Sequence, residues 1–330
     1  MKAAQFDRHG SPADALTVRE IGTPSPGRGE VLVRMLASPV NPSDLLYISG
    51  NYTITPDSYP ATPGFEGVGV VEATGGGLLG AIRKGKRVAV LGSRTGCWAE
   101  YAICPAKQVF PVLDDIPDEQ AAGLFVNPMT ALALTKEVLA VPNGAWLLQS
   151  AAGSSLGKMV ISLGKRAGFK TLNVVRRREQ VDELKQLGAD AVIVESDGPI
   201  QEQVAKVTGG GVGYALDCVG GATGTGVVRS LTAGGKAVLY GAMSGEPISV
   251  DPRFMISNTA AVQGFWLGEW VQKQSVLKML GLVSEVRGLV RTGTLKATIA
   301  ATYALDNVKD AVTHAAKDAR GGKVLVKMSS

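Results

Sequence analysis

Between Trp146 and Arg178 the chain reads W-L-L-Q-S-A-A-G-S-S-L-G-K-M-V-I-S-L-G-K-R-A-G-F-K-T-L-N-V-V-R-R-R. An apolar run from Ala145 to Gln149 leads into a turn of small residues, Ala151 to Gly157. A helical stretch follows, then a second strand, Thr171 to Val175, ending in Arg176, Arg177 and Arg178. Strand, small-residue turn, helix and strand in this order make the β-α-β unit of a dinucleotide site. The turn is a degenerate form of the glycine fingerprint, with Ala151 at the first glycine position and Gly153 at the second. Backbone N–H groups at Ser154, Ser155 and Leu156, opening a helix, suit a pyrophosphate.

The tip of the second strand selects the cofactor. About 20 residues after the glycine turn, an NAD site carries an acid that bonds the ribose 2′-hydroxyl. Arg176 stands there instead. A guanidinium can pair bidentately with a 2′-phosphate, so Arg176, with Arg177 and Arg178 beside it, points to NADPH.

A chain of 330 residues has room for two domains. With 45% hydrophobic and 19% charged residues it can build a large core, and disorder is not expected. The net charge of +5 comes without a long basic face interleaved with aromatics, so no nucleic-acid partner is expected. Cys97, Cys104 and Cys218 are odd in number and scattered, which argues for free thiols and an intracellular setting. The N-terminus runs directly into a strand-like segment, and no apolar span is long enough for a membrane helix. A soluble cytoplasmic protein is the expectation.

Residues 1–120 read as short strands and turns, including Glu30 to Met35, Gly67 to Val71 and Arg87 to Leu91. From 121 on, helical patterns alternate with apolar strands. Those strands are Trp146 to Gln149, Leu172 to Val175, Ala191 to Val194, Tyr214 to Cys218, Lys236 to Tyr240 and Ala261 to Phe265. This is the rhythm of a doubly wound parallel sheet. One helix is expected over Val271 to Arg291, another over Leu305 to Lys317, and a last strand over Lys323 to Val326.

Segments along the whole chain resemble the medium-chain dehydrogenase/reductase superfamily. They include Gly27-Arg28-Gly29-Glu30-Val31-Leu32-Val33, Asn41-Pro42-Ser43-Asp44, Pro63-Gly64-Phe65-Glu66-Gly67-Val68-Gly69, Gly85-Lys86-Arg87-Val88 and Gly321-Gly322-Lys323-Val324. The resemblance implies an α/β fold in which a Rossmann domain (121–265) is inserted into a GroES-like β-rich catalytic domain (1–120 and 266–330). The zinc-binding members carry ligands that are absent here. Phe65 precedes Glu66 where they have His, and Asn41 to Asp44 lacks their Cys. His9 and His314, the only histidines, read as ordinary surface residues. No metal is expected.

Within the superfamily the chain is most similar to the zinc-free NADPH-dependent 2-enoyl thioester reductases, near the quinone oxidoreductases. The segments that carry this are Gly50-Asn51-Tyr52, Asn127-Pro128-Met129-Thr130, Asn173-Val174-Val175-Arg176, and Gly264-Phe265-Trp266-Leu267 with Trp270. The implied reaction is reduction of the activated C=C bond of a trans-2-enoyl thioester, carried on CoA or on acyl carrier protein. A quinone or α,β-unsaturated ketone is the alternative substrate, and a non-catalytic NADPH-binding protein is a third reading.

By the same resemblance Tyr52 is the catalytic residue, donating a proton or stabilising the enolate. A phenol is protonated at neutral pH and can donate. Tyr47 and Tyr59 compete locally, with Tyr47 suited to packing. The implied cofactor bed adds Asn127, Thr130, Gly153, Tyr240, Gly241, Ala242, Met243, Phe265, Trp266, Leu267 and Lys323; Asn41 and Trp266 are implied at the substrate. The apolar strand from Ala261 to Phe265, at a sheet edge, suits pairing with its copy in a homodimer.

Overall fold

The computed structural model describes residues 1–328. The chain folds as two units, Met1–Val126 with Arg287–Ser330, and Asn127–Val286. The β-rich unit is discontinuous, and both of its borders lie later than 120/121 and 265/266. Physical ties explain the shift. Phe125 packs on Phe110 with ring centroids 5.0 Å apart. At the other border, Lys136–Glu285 and Lys278–Glu137 ion pairs, at 2.7 and 2.6 Å, hold the helix Val276–Arg291 to the segment that follows Asn127.

In the first unit β1 (Lys2–Gln5) pairs with β2 (Thr17–Glu20). The main sheet is built on β3 (Glu30–Pro39), flanked by β4 (Glu66–Thr74), β5 (Arg87–Leu91), β6 (Tyr101–Pro105) and β7 (Val109–Pro111), all antiparallel. Its core gathers Phe6, Val31, Val33, Met35, Ile48, Val90 and Trp98. The region is less purely β than expected, since Pro42–Ser49 is a helix. Asn41 caps it, and Gly50, at φ 79°, ends it in the left-handed conformation.

The second unit holds six parallel strands: β8 (Trp146–Gln149), β9 (Lys170–Val175), β10 (Ala191–Val194), β11 (Val212–Asp217), β12 (Leu231–Leu239) and β13 (Ala261–Gly264). Their order in the sheet is β10-β9-β8-β11-β12-β13, the dinucleotide-binding doubly wound order. Both faces of the sheet are covered. Leu172, Val174 and Ile193 enter one apolar cluster, and Val175 and Val194, the alternate residues, enter another. That is why these strands read as unbroken apolar runs. β13 is an edge strand with mostly exposed residues.

The chain then returns to the first unit through β14 (Ile299–Ala304) and β15 (Lys323–Lys327), which pair with each other in parallel. β15 also lies antiparallel to β3, with Leu325 opposite Pro39. The helix expected over Val271 to Arg291 is two helices, Leu267–Gln272 and Val276–Arg291. Ser275 starts the second: its hydroxyl accepts from the Lys278 N–H and its carbonyl from the Met279 N–H. His314 is not a plain surface residue. Its ring bonds the Tyr303 hydroxyl at 3.0 Å and the Arg320 carbonyl at 3.2 Å, bracing the end of this unit. No helix among the described residues is long and apolar enough to cross a membrane.

Gly157 sets the distance between the small-residue turn and the helix Ser155–Ala167. A Cβ there would lie 2.5 Å from the Ala152 carbonyl oxygen and 2.7 Å from its Cα, both rigid backbone atoms. Gly157→Ala is expected to lower stability by about 1–3 kcal/mol, the usual cost of overpacking. Urea unfolding measures this, and an unchanged midpoint would show that the helix shifts freely.

Candidate active site

The dinucleotide cradle forms at the carboxyl end of β8. Ala151 turns the chain with φ 47°, a left-handed conformation that glycine would adopt without strain. Ser154 is the N-cap of the helix Ser155–Ala167, and its hydroxyl accepts from the Gly157 N–H at 3.0 Å. The Ser154 N–H is spent inside the turn on the Ala151 carbonyl at 2.9 Å. Ser154 is thus part of the frame. The N–H groups left to face an anion are those of Ser155 and Leu156 in the first helical turn, where no intrahelical acceptor exists. The Ser155 hydroxyl oxygen is buried without a hydrogen-bond partner. An orphaned buried hydroxyl beside two helix-opening N–H groups fits a phosphate oxygen. Gly153 leaves room for the Gln180 side chain, which a Cβ would meet at 2.0 Å.

Arg176, Arg177 and Arg178 are all exposed where β9 ends, next to β8 in the sheet. Arg178 pairs with Asp197 on the loop after β10. Arg176 directly follows β9.

Tyr240, Gly241, Ala242 and Met243 follow β12 and run beside the segment that follows β11. The Tyr240 N–H donates to the Asp217 carbonyl at 2.9 Å and the Met243 N–H to the Cys218 carbonyl at 3.0 Å. Gly241 permits this approach, since a Cβ would lie 2.9 Å from the Cys218 carbonyl oxygen. The Tyr240 hydroxyl is buried beside the Cys218 thiol with no hydrogen bond of normal geometry, and burial pushes both groups' pKa values up. Phe265 continues this rim, its N–H bonded to the Leu239 carbonyl at 2.8 Å. Trp266 is the exposed N-cap residue of the helix that Leu267 begins. Asn127 and Thr130 share the helix Val126–Leu132, Asn127 half-buried and Thr130 buried.

In the first unit Tyr52 is half-buried, with its ring 5.4 Å from that of Phe65. Tyr47 also touches Phe65, at 5.3 Å, but packs on the core against Phe6 at 5.6 Å, and burial raises its pKa. Tyr59 is exposed and leans on His9 and Phe6. Phe65 thus holds two phenols.

Behind Phe65 lies a buried polar network that the sequence reading missed as a unit. The register of β15 on β3 brings Lys323, two residues before Leu325, to Asn41. The Lys323 ammonium donates to the Asn41 side-chain oxygen. The Asn41 amide donates to Glu66 Oε1 at 2.9 Å. Glu66 Oε2 accepts from the Phe125 and Val126 N–H groups at 3.2 and 2.8 Å. Asp44 accepts from the Asn41 N–H at 2.7 Å and the Phe65 N–H at 3.1 Å. All four side chains are buried, Lys323 at 3% exposure and the others at 1% or less. Burial raises Asp44 to about 7 and also raises Glu66, while it lowers Lys323 to about 8. Asn41 thus has both ends of its amide engaged within this network, and the strand register folds Lys323 inward to meet it.

Residues 27–116 match the alcohol dehydrogenase GroES-like domain, and residues 155–285 match the domain described as zinc-binding dehydrogenase. The chain is 32% identical over 333 residues to the mitochondrial enoyl-[acyl-carrier-protein] reductase of Mus musculus, covering 99% of this chain and 89% of that protein. The Arabidopsis thaliana mitochondrial enoyl-[acyl-carrier-protein] reductase is 34% identical over 301 residues, covering 89% and 80%. Among solved structures, a putative NADPH:quinone reductase from Bacillus thuringiensis is similar with a TM-score of 0.92 and 33% identity, over 99% of this chain and 98% of that one. A mycobacterial protein solved in complex with NADPH follows with a TM-score of 0.89 and 27% identity, over 99% and 100%. The chain therefore belongs to the medium-chain dehydrogenase/reductase family, near its enoyl reductases and quinone oxidoreductases.

The donor set does not fit the zinc that one domain's description implies. Phe65 offers no ligand atom, the Asn41 amide is committed at both ends, and both Glu66 oxygens already accept hydrogen bonds. A lysine ammonium also shares this space. Among the described residues, no group of three or more His, Cys, Asp and Glu side chains could hold a metal ion.

The network's charges should be interdependent. Lys323→Met is expected to cost about 3–5 kcal/mol, because it strands the buried Glu66 carboxylate. The double variant Lys323→Met with Glu66→Gln should recover more than half of that loss. Urea unfolding of these two variants and of Glu66→Gln alone decides; a double variant as unstable as the sum of the single losses would show that the two charges are not coupled.

Proposed function

We propose that this chain catalyses NADPH-dependent reduction of the C=C bond of a trans-2-enoyl thioester to the saturated acyl thioester. The observation that carries the cofactor choice is Arg176 at the end of β9, beside a cradle with an orphaned Ser155 hydroxyl. The names of the relatives support the substrate class, and the mycobacterial neighbour was solved with NADPH.

When bound, NADPH supplies a hydride for the β-carbon. The Ser155 and Leu156 N–H groups and the Ser155 hydroxyl hold the pyrophosphate, and Arg176 pairs with the 2′-phosphate. Reduction builds negative charge on the thioester oxygen and leaves the α-carbon in need of a proton. Tyr52 donates that proton or bonds the enolate oxygen. Its ring is steadied by Phe65, the residue that stands where a zinc-binding relative has a ligand. No Lewis acid is needed in this scheme. Coenzyme A and acyl carrier protein remain equivalent as carriers, since both present the same thioester. A quinone is the second reading, favoured by the similarity to the putative NADPH:quinone reductase of Bacillus thuringiensis. Rates of NADPH oxidation with crotonyl-CoA beside a panel of quinones separate the two.

Cofactor choice should rest on Arg176. The unmutated chain is expected to bind NADPH at least about tenfold tighter than NADH, roughly 1.4 kcal/mol, and Arg176→Ala should erase most of that preference. Fluorescence titration with both cofactors measures it. Equal affinities in the unmutated chain would end the 2′-phosphate assignment.

Tyr52→Phe should lower kcat for crotonyl-CoA by about 10²-fold, the scale of a lost proton donor, with NADPH affinity nearly unchanged. Tyr47→Phe is the control, because Tyr47 packs on the core. If Tyr47→Phe loses activity and Tyr52→Phe keeps it, the donor is Tyr47. If both stay active and quinones turn over faster, the quinone reading takes over.

A further inference from the structure

Two polar side chains tie together the strands on either side of the point where the sheet's winding reverses. The chain runs outward from β8 to β9 and β10, then returns to place β11 on the other side of β8. Dinucleotides bind in the crevice that opens there, outside the carboxyl ends of the strands. Ser150 follows β8 and Asp217 ends β11; both are fully buried. The Ser150 hydroxyl donates to Asp217 Oδ1 at 2.6 Å and accepts from the Cys218 N–H at 3.1 Å. Asp217 also accepts from the Val219 N–H at 3.2 Å and the Gly220 N–H at 2.9 Å, which folds the chain back just after β11.

The same turn carries the next wall. The Met243 and Ser244 N–H groups donate to the Cys218 and Val219 carbonyls at 3.0 and 2.9 Å. The Asp217 carboxylate therefore holds the start of the turn after β8 and the turn after β11 directly, and the segment after β12 only through the Cys218 and Val219 carbonyls. The helix that follows leaves space for it. Gly224 has ordinary helical φ, yet a Cβ there would lie 2.7 Å from Asp217 Oδ2. It would also meet Ile248 Cδ1 and Cγ1 at 2.8 and 2.9 Å, so the glycine leaves room for both the carboxylate and Ile248. A carboxylate fully buried among apolar strands costs stability unless every oxygen is bonded, and here both are.

We propose that Asp217 and Ser150 are positioning residues for the cofactor: their bond fixes the spacing of the crevice walls before the dinucleotide arrives. The inference rests on reading the crevice as an NADPH site. Both side chains are fully buried, so they act through the backbone of residues 150–153, 218–220 and 240–244. Preorganised walls spare the ligand the cost of ordering them. The clasp lies away from the ribose 2′-position, so it acts on NADPH and NADH alike.

The test uses the full chain with Asp217→Asn, Ser150→Ala and Gly224→Ala, the last crowding the carboxylate and Ile248 without removing any bonding group. Thermal unfolding first identifies which variants keep a cooperative transition. NADPH and NADH affinities are then titrated by fluorescence well below that transition. Asp217→Asn should weaken both cofactors by about tenfold, the scale of a lost hydrogen bond to a charged group. The KM for NADPH should rise by a similar factor, with kcat at saturating NADPH within about twofold. Ser150→Ala and Gly224→Ala should move in the same direction. Arg176→Ala differs by weakening NADPH alone. If Asp217→Asn does not fold, Ser150→Ala decides. A folded Ser150→Ala, or a folded Asp217→Asn, that binds both cofactors like the unmutated chain overturns the proposal. An unmutated chain that binds neither cofactor overturns the underlying site reading instead, so the two failures are distinct.

Discussion

A parallel sheet buried on both faces has no room for chemistry along its strands. In this chain β9 and β10 are apolar on both faces, with Leu172, Val174 and Ile193 on one side and Val175 and Val194 on the other, because helices cover both. Polar function is thereby pushed to the carboxyl ends. There the strands stop and backbone N–H groups at Ser155 and Leu156 come free. The polar groups that intrude deeper, Gln149, Ser150, Asn173 and Asp217, are all fully buried. Gln149 donates to the Gly157 carbonyl at 3.0 Å and to Asn173 at 2.7 Å. They form a floor that fixes where the ends of β8, β9 and β11 lie. The buried Gln149 oxygen with no partner is the one loose end.

The first unit solves a different problem, that of holding charges in a small β-rich core. Glu66, Asp44 and Lys323 are buried together, and the charged form of each is disfavoured by that burial. Asn41 joins them, accepting from the cation and donating to the anion. A metal ion would place a larger positive charge in such a position. Here the ammonium of the last strand supplies a single charge and closes the network from the far end of the chain. Glu66 also accepts from the Phe125 and Val126 N–H groups, so the same network holds the end of this unit's first segment.

Much of this was legible in the residues, and the reasons differ by element. The strands of the parallel sheet announce themselves as apolar runs, and β8 and β10 fall where the pattern places them, as does β5 in the first unit. Arg176 at the end of β9 is readable because only chain order decides it. Contacts between distant residues are not readable. Arg178 meets Asp197 and Lys323 meets Asn41 only once strand registers are set. The break before Val276 was hidden because Ser275 lies in a continuous helical pattern, and its capping role depends on side-chain geometry. One signal was present and unused: Asp217, a lone acid at the end of an apolar strand, demands a partner if buried.

The two buried polar sets illuminate each other. Each sits just beneath a surface on which the proposed reaction relies, the crevice in one unit and the Phe65–Tyr52 pair in the other. Each uses a carboxylate that accepts backbone N–H groups, Asp217 from Val219 and Gly220, Glu66 from Phe125 and Val126. A carboxylate in that role is worth more than a neutral acceptor, since charge-assisted bonds in a low-dielectric interior are strong and directional. It is also brittle, because removing one partner leaves an uncompensated group. Asp217 meets that risk with hydrogen bonds alone, while Glu66 adds Lys323. The difference follows from the donors at hand. Two backbone N–H groups and a hydroxyl converge on Asp217, whereas Glu66 and Asp44 lie close enough to repel and need a cation nearby. Rigidity under the site is thus obtained from hydrogen-bond geometry in one unit and from charge neutralisation in the other.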